Sequence, residues 1–247
     1  MTIPNRITKS DGPPNIGFRL AALLVAVLLG TQCIWLLLAE LSRPGIDQLP
    51  IDATTAAAAA AAGRRDAAIW AASIGAVRGD LWAESAFTYA NFVTVGGAAG
   101  ASPILSATLA HARASLDHAL DNAPTQSGVW LLLAGLALRY PSTPPAISPI
   151  EALKMSYYTG PSDQRLTPLR LRLAVQADRF DDFEMSQFVS RDLRVLLSEK
   201  QTAVIAAAYG AASDDGKRFI EQAVSDVDPS LLATLRASVA PLRALHN

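Results

Sequence analysis

Hydrophobic residues in most of this chain recur at helical rather than strand spacing. From residue 64 onward, apolar positions return at intervals of three or four, and strict apolar–polar alternation over four or more residues is absent. From residue 123 onward the links between apolar segments are short, so neighbouring helices should be antiparallel. The pattern therefore predicts an all-α domain built from helical hairpins.

Polar residues and prolines mark the ends of these helices. Helices are predicted at about 104–122, 130–140, 163–177, 183–198 and 200–209. Ser148, Pro149 and Glu151 form an N-cap set for a helix through residue 158, and Ser213 should cap a later helix. Along 183–198, four apolar residues are expected to share a buried face: Phe183, Phe188, Leu193 and Leu196.

The N-terminal region instead carries an unbroken apolar run, LAALLVAVLLGTQCIWLLLA, over residues 20–39. A helix of that length spans about 30 Å, the thickness of a bilayer's hydrocarbon core. A cleaved signal peptide is the alternative, but its apolar region is shorter and a small-x-small site should follow. The residues after this run offer no such site. We therefore expect an uncleaved transmembrane helix at 20–40.

Flanking cations indicate the orientation of that helix. Arg6, Lys9 and Arg19 precede the run, whereas Arg43 alone follows it before residue 52. By the positive-inside rule, segment 1–19 should be cytoplasmic. The chain that follows should lie outside a bacterial inner membrane, in the periplasm of a Gram-negative cell. Residues 41–63, rich in proline and alanine, are predicted as a linker to a helical domain at 64–247.

Composition narrows the classes of partner. Only 17% of residues are charged and the net charge is −1, so no strong positive field recruits nucleic acid. Much of the deficit in charge comes from the apolar run and an alanine tract at 56–62. The single cysteine, Cys33, cannot form an intramolecular disulfide. We expect membrane and protein partners, and no nucleic acid.

Two tryptophans open segments of similar spacing. Trp82 is followed by Ser85, Ala86 and Tyr89, and Trp130 is followed at the same intervals by Leu133, Ala134 and Ala137. The helix between them ends with Ala112, Leu116 and Ala119 before Pro124. Over residues 66–161 this pattern resembles the tetratricopeptide repeat, with a generic helical bundle as the alternative. The resemblance implies a TPR-like stack of antiparallel helical hairpins, joined to a membrane helix as in bacterial envelope assembly factors of cytochrome c maturation and polysaccharide export.

Candidate chemistry is sparse. His111 and His118 lie two helical turns apart, about 10 Å, too far to share one zinc ion. The acid pairs Asp181-Asp182 and Asp214-Asp215 stand at predicted helix starts, where they stabilise the helix dipole. No nucleotide-binding, zinc-protease or serine-hydrolase motif occurs in a usable context, so no catalytic residue, metal or cofactor is expected.

Arginines form the densest polar group, comprising Arg165, Arg170, Arg172, Arg179, Arg191 and Arg194. Nearby aspartates are equally abundant and would neutralise them in ion pairs. The functional interpretation makes Arg165, Arg172, Arg191 and Arg194 contacts for an acidic partner or an anionic polymer. Arg165 and Arg172, seven residues apart, are expected to share one helix face.

Two functions follow as hypotheses. In the first, the chain is a non-enzymatic, membrane-anchored scaffold or adaptor whose periplasmic domain mediates protein–protein interactions in an envelope assembly or export complex. In the second, it is a binding accessory factor in polysaccharide biosynthesis or export, using the arginines to bind anionic polysaccharide.

Overall fold

The computed structural model is helical and describes residues 16–50, 55–94, 103–141, 147–177, 182–225, 227 and 229–244. No strand occurs among these residues, as the sequence predicts. Residues 1–15 of the predicted cytoplasmic segment lie outside the described residues, and so does Arg179. The helices are α1 (Ile16–Leu41), α2 (Thr55–Gly63), α3 (Arg65–Ile74), α4 (Gly79–Phe87), α5 (Asn91–Thr94), α6 (Pro103–Asn122), α7 (Ser127–Arg139), α8 (Pro149–Thr159), α9 (Thr167–Gln176), α10 (Phe183–Ser198), α11 (Thr202–Ala211), α12 (Asp214–Ser225) and α13 (Pro229–Ala244), with a 3₁₀ helix at Gln164–Leu166 before α9.

Local capping explains why several helices begin where the sequence predicts. Ser148 accepts a hydrogen bond from the Glu151 amide, and the Glu151 carboxylate accepts one from the Ser148 amide, which completes a capping box at α8. The Asp182 carboxylate accepts from the Met185 amide at α10. The Ser213 hydroxyl accepts from the Gly216 amide at α12, 3.0 Å away. The predicted caps at Ser148 and Ser213 are confirmed.

The two repeated tryptophans occupy equivalent positions in two turns. The Trp82 indole donates to the Ala76 carbonyl at 3.0 Å, and the Trp130 indole donates to the Pro124 carbonyl at 2.7 Å. Each acceptor lies six residues before its tryptophan, and each tryptophan lies three residues after its helix begins. Both indoles therefore tie the start of a helix to the preceding turn.

Helix contacts follow a regular order. Helix α4 packs on α6, and α7 packs on α8. In addition, α4 contacts α7, α7 contacts α9, α9 contacts α11, and α11 contacts α13. Gly128 faces Phe87, and Gly135 faces Val93, so α7 runs in the same direction as the segment from the end of α4 through α5. Both glycines let the neighbouring helix approach closely. Most buried apolar side chains belong to one cluster that extends through this series.

Residues 43–50, predicted as part of a linker, lie against the helices. Ile46 and Leu49 are buried in the main core cluster, and Leu49 and Phe87 both lie against Gly128. The remainder of the predicted linker contains helix α2, with Ala61 in the same cluster. Ile46 and Leu49 are apolar, and removing their side chains from water is favourable. The proline content of this segment predicts a linker and does not reveal that contact.

Helix α1 is the one helix among the described residues that is long and apolar enough to cross a membrane. The predicted apolar helix at 20–40 is therefore present, and its crossing of a bilayer remains a prediction. A second, smaller cluster (Ala39, Ala71, Ala72 and Leu81) joins the end of α1 to α3 and α4.

Phe183 does not share the buried face expected for α10. Its side chain is 76% exposed, whereas Leu193 and Leu196 are buried and Phe188 packs against the core. Phe183 is the first residue of α10, directly after the Asp182 cap, and no neighbouring helix covers it at that end.

Gly216 and Gly210 provide a matched test of the packing between α9 and α12. A Cβ at Gly216 would lie 3.1 Å from the Val175 carbonyl carbon and closer still to its oxygen, whereas a Cβ at Gly210 would meet nothing within 4 Å. Gly216→Ala should lower the free energy of unfolding by about 1–3 kcal/mol through overpacking. Gly210→Ala should leave it unchanged or raise it by up to about 1 kcal/mol. Urea unfolding of the detergent-solubilised chain, followed by circular dichroism, measures both; equal effects would contradict the close approach.

Candidate functional site

The chain that leaves α1 is held by a buried carboxylate. The Glu84 side chain on α4 is 1% exposed. One of its oxygens forms an ion pair with the Arg43 Nε atom, and the other accepts from the Ile46 amide at 3.1 Å. Burial raises the pKa of Glu84, while Arg43 and the Ile46 amide favour the charged form. Glu84 is thus satisfied only when residues 43–46 are docked.

Charged residues around Glu84 extend this link to the end of α1. Arg43 also contacts Asp47 at 2.5 Å and Glu40 at 3.2 Å. Arg78, directly before α4, contacts Glu40 at 2.7 Å and Asp80 at 2.6 Å. Donation of hydrogen bonds to these two carboxylates raises the pKa of Arg78. Several shared ion pairs hold the junction more firmly than one exposed pair would.

Apolar contacts complete the junction. Ala39 is fully buried beneath α3 and α4, and the Trp35 indole donates to the Ile74 carbonyl at 2.5 Å. One face of the last two turns of α1 is therefore packed on the helical domain, while Leu36, Leu37 and Leu38 are exposed. The domain is attached to α1 through a structured junction.

An open groove of about 500 Å³ lies beside this junction. Its walls are the docked residues 47–49, the end of α4, the 3₁₀ helix, and the turns that lead into α7 and α11. The groove is lined mostly by polar side chains, including Thr125, Gln126, Gln164, Arg165, Glu199 and Gln201. Small-molecule pockets are usually enclosed and apolar, so this open shape suits an extended segment better.

The charge of the groove is negative. Asp47, Asp163 and Glu199 line it together with Arg165. Because Asp47 is also paired with Arg43, three carboxylates face two guanidinium groups, and Glu199 carries the excess negative charge. Arg165 is paired with Asp163, through Nε at 3.1 Å and Nη2 at 3.2 Å. The groove therefore complements a ligand with cationic groups and hydrogen-bond donors.

Three of the four candidate arginines, Arg165, Arg172 and Arg194, line different cavities. Arg172 donates to the Thr94 carbonyl at 3.2 Å and lines a different cavity of about 140 Å³. Arg194 lines a third cavity with apolar walls, of about 340 Å³. Arg191 donates to the Pro161 carbonyl at 3.3 Å and lies 5.9 Å from the Tyr157 and Phe188 rings. Arg191 and Arg194 lie three residues apart on α10.

Arg165 and Arg172 line different cavities. Arg165 belongs to the 3₁₀ helix and Arg172 to α9, which begins at Thr167 and carries Pro168 in its first turn. A 3₁₀ helix has three residues per turn, so the α-helical period does not continue through this segment.

Arg170 belongs to the same group of arginines in the sequence, and its buried side chain connects α9 to α8. It is 1% exposed and donates from Nε to the Ser156 hydroxyl at 3.1 Å, and from Nη2 to the Ser156 and Gly160 carbonyls. These carbonyls lie at the end of α8, where a cation is favoured. Tyr157 and Asp192 complete the cluster with a hydrogen bond of 2.8 Å, and burial raises the pKa of Asp192. This polar cluster joins α8, α9 and α10.

The histidines and acid pairs have local contacts. His118 lies 4.5 Å from the Trp82 ring, between centroids, and His111 is exposed. Asp182 accepts from Lys154, while Asp214 and Asp215 pair with Lys217 and Arg218 at the start of α12; Asp181 is outside the described residues. Among the described residues, no group of three or more His, Cys, Asp or Glu side chains is arranged to hold a metal ion.

Comparison with known proteins finds no similar protein. No family model matches the chain, and no curated protein or solved structure gives a match.

Arg170 and Arg172 should respond differently to truncation. Arg170→Ala removes three hydrogen bonds to the end of α8 together with a fully buried side chain, so it should lower the free energy of unfolding by about 3–5 kcal/mol. Arg172→Ala removes one partly buried hydrogen bond and should cost about 1 kcal/mol. Chemical denaturation of both variants in the same detergent measures the difference. An Arg170→Ala variant as stable as Arg172→Ala would contradict the structural role of Arg170.

Proposed function

We propose that this chain is a non-enzymatic, membrane-anchored scaffold or adaptor that binds an extended segment of a partner protein in the groove beside residues 47–49. The observation that carries the proposal is the groove itself, which is open and acidic and shares the docked segment with the anchor junction. A binding surface of this kind presents side chains and backbone groups from several turns to one peptide.

A tetratricopeptide-like arrangement of the domain is part of this proposal. The matching indole hydrogen bonds of Trp82 and Trp130 support it, as does the serial contact of α4, α7, α9, α11 and α13. In helical repeat proteins, each unit packs mainly on its neighbours, and the stack presents an extended surface to partners.

Location is the second part of the proposal. Helix α1 would cross the inner membrane with segment 1–19 in the cytoplasm, and the helical domain would lie in the periplasm. The excess of Lys and Arg before the apolar run supports this orientation. A domain held there is positioned to recruit a protein to an envelope assembly or export complex.

The partner's chemistry follows from the charge of the groove. The excess carboxylate at Glu199 favours a cationic protein segment over an anionic polysaccharide. The polysaccharide hypothesis depends on Arg165, Arg172, Arg191 and Arg194 acting together, and three of them, Arg165, Arg172 and Arg194, line different cavities.

Site-specific photo-crosslinking in the native host tests the proposed groove. A photoreactive amino acid at Gln164 or Thr125, both exposed in the groove, should give an adduct of the same mass with the same protein. The same amino acid at Gln187, exposed on α10 outside the groove, is the matched control and should not give that adduct.

A charge variant tests the proposed chemistry. Glu199→Gln removes one groove carboxylate and should lower the yield of the adduct, because the partner loses one ionic contact. Asp117→Asn, an exposed position on α6 outside the groove, should leave the yield unchanged. An adduct that forms equally from Gln187, or that is insensitive to Glu199→Gln, would contradict the proposed site.

A further inference from the structure

We propose that the turn between α3 and α4, with the end of α3, forms a second membrane contact in the headgroup region of the bilayer that α1 crosses. The contact presents Trp70 and Val77 to zwitterionic lipid. It rests on one part of the proposed function, the membrane crossing of α1, and is independent of the groove and its partner.

The depth of the turn follows from its attachment to α1. The Trp35 indole donates to the Ile74 carbonyl, and Trp35 lies four residues before Ala39, the last residue of the apolar run. Four residues of helix correspond to about 6 Å. The end of α3 is thus held beside a part of α1 that is still apolar.

The length of α1 brings the bilayer to this level. Residues 20–34, which precede the contact with α3, would span only about 22 Å, less than the roughly 30 Å of a hydrocarbon core. A bilayer that covers the whole apolar run of residues 20–39 therefore extends past Trp35 to the level of Ile74. Any lipid around that part of α1 then meets the end of α3 as well.

The side chains at the surface of this region suit a membrane interface. Trp70 is 61% exposed and Val77 is 81% exposed, although both are large apolar residues. Trp70 lies one helical turn before Ile74 on the same face of α3. Tryptophan favours the boundary between hydrocarbon and headgroups, where its ring is apolar and its N–H remains solvated.

Charge at the junction specifies the lipid. Glu40, Arg43, Asp47, Arg78, Asp80 and Glu84 form the ion-pair network next to the turn, with four carboxylates against two guanidinium groups. This balance does not attract anionic lipid. Burial of Trp70 and Val77 supplies the attraction, so the contact should form on phosphatidylcholine alone.

Lipid quenching of single fluorescent labels tests the contact. The chain carries one cysteine, so Cys33→Ser gives a cysteine-free background for Val77→Cys, with Leu28→Cys as the span control and Gln187→Cys as the control in water. Each variant is labelled with an environment-sensitive dye and reconstituted in phosphatidylcholine nanodiscs that contain nitroxide lipids, with the nitroxide either near the headgroup or deep in the acyl chain.

At Val77, the expected result is a blue-shifted emission, a loss of fluorescence with the shallow nitroxide, and protection from iodide in the water. At Leu28 the deep nitroxide should quench more than the shallow one, and at Gln187 only iodide should quench. A Val77 label that behaves like Gln187, while Leu28 is quenched by lipid, overturns the membrane contact and leaves the crossing of α1 intact. A Leu28 label that no lipid nitroxide quenches overturns the crossing and the contact together.

Discussion

The buried carboxylate of Glu84 is the constraint on which the arrangement of this protein depends. A carboxylate removed from water is costly unless a cation and hydrogen-bond donors replace its hydration. Arg43 and the Ile46 amide supply both, and they belong to the segment that follows α1. Folding of α4 into the core therefore requires this segment to dock, and the docked segment fixes the end of α1 against α3 and α4.

The docked segment also connects α1 to the groove. Arg43 binds Glu84 and Asp47, while residues 47–49 form one wall of the groove. Leu49 lies against Gly128 at the start of α7, so the segment covers the contact between the first helices of the domain and the next ones. A change in how α1 is seated would alter one wall of the groove, because both depend on the same few residues.

Local signals in the sequence account for the helices. The capping box at Ser148, the cap at Ser213 and both ends of α10 depend on residues three or four apart, which the sequence displays directly. The recurrence of Trp82 and Trp130 also marks two equivalent turns. Helical period and capping therefore predict most of the secondary structure, although they do not establish which helices touch.

Contacts between distant residues account for what the sequence does not reveal. Arg43 and Glu84 are 41 positions apart, and the only local sign was a glutamate among the small and apolar residues of α4. Of the candidate arginines, Arg165 lies in the groove, but the 3₁₀ helix separates it from Arg172. The burial of Arg170 depends on carbonyls of α8 that become adjacent only after the chain folds.

The most direct test of this account is the distance between α1 and the helical domain in a bilayer. Spin labels at the native Cys33 and at Gln187→Cys, measured by pulsed dipolar spectroscopy in nanodiscs, report how firmly the two parts are joined. The account predicts one narrow distance distribution that broadens when Glu84→Ala removes the partner of Arg43. A broad distribution in the otherwise unaltered chain would contradict it, because α1 would then be a flexible tether.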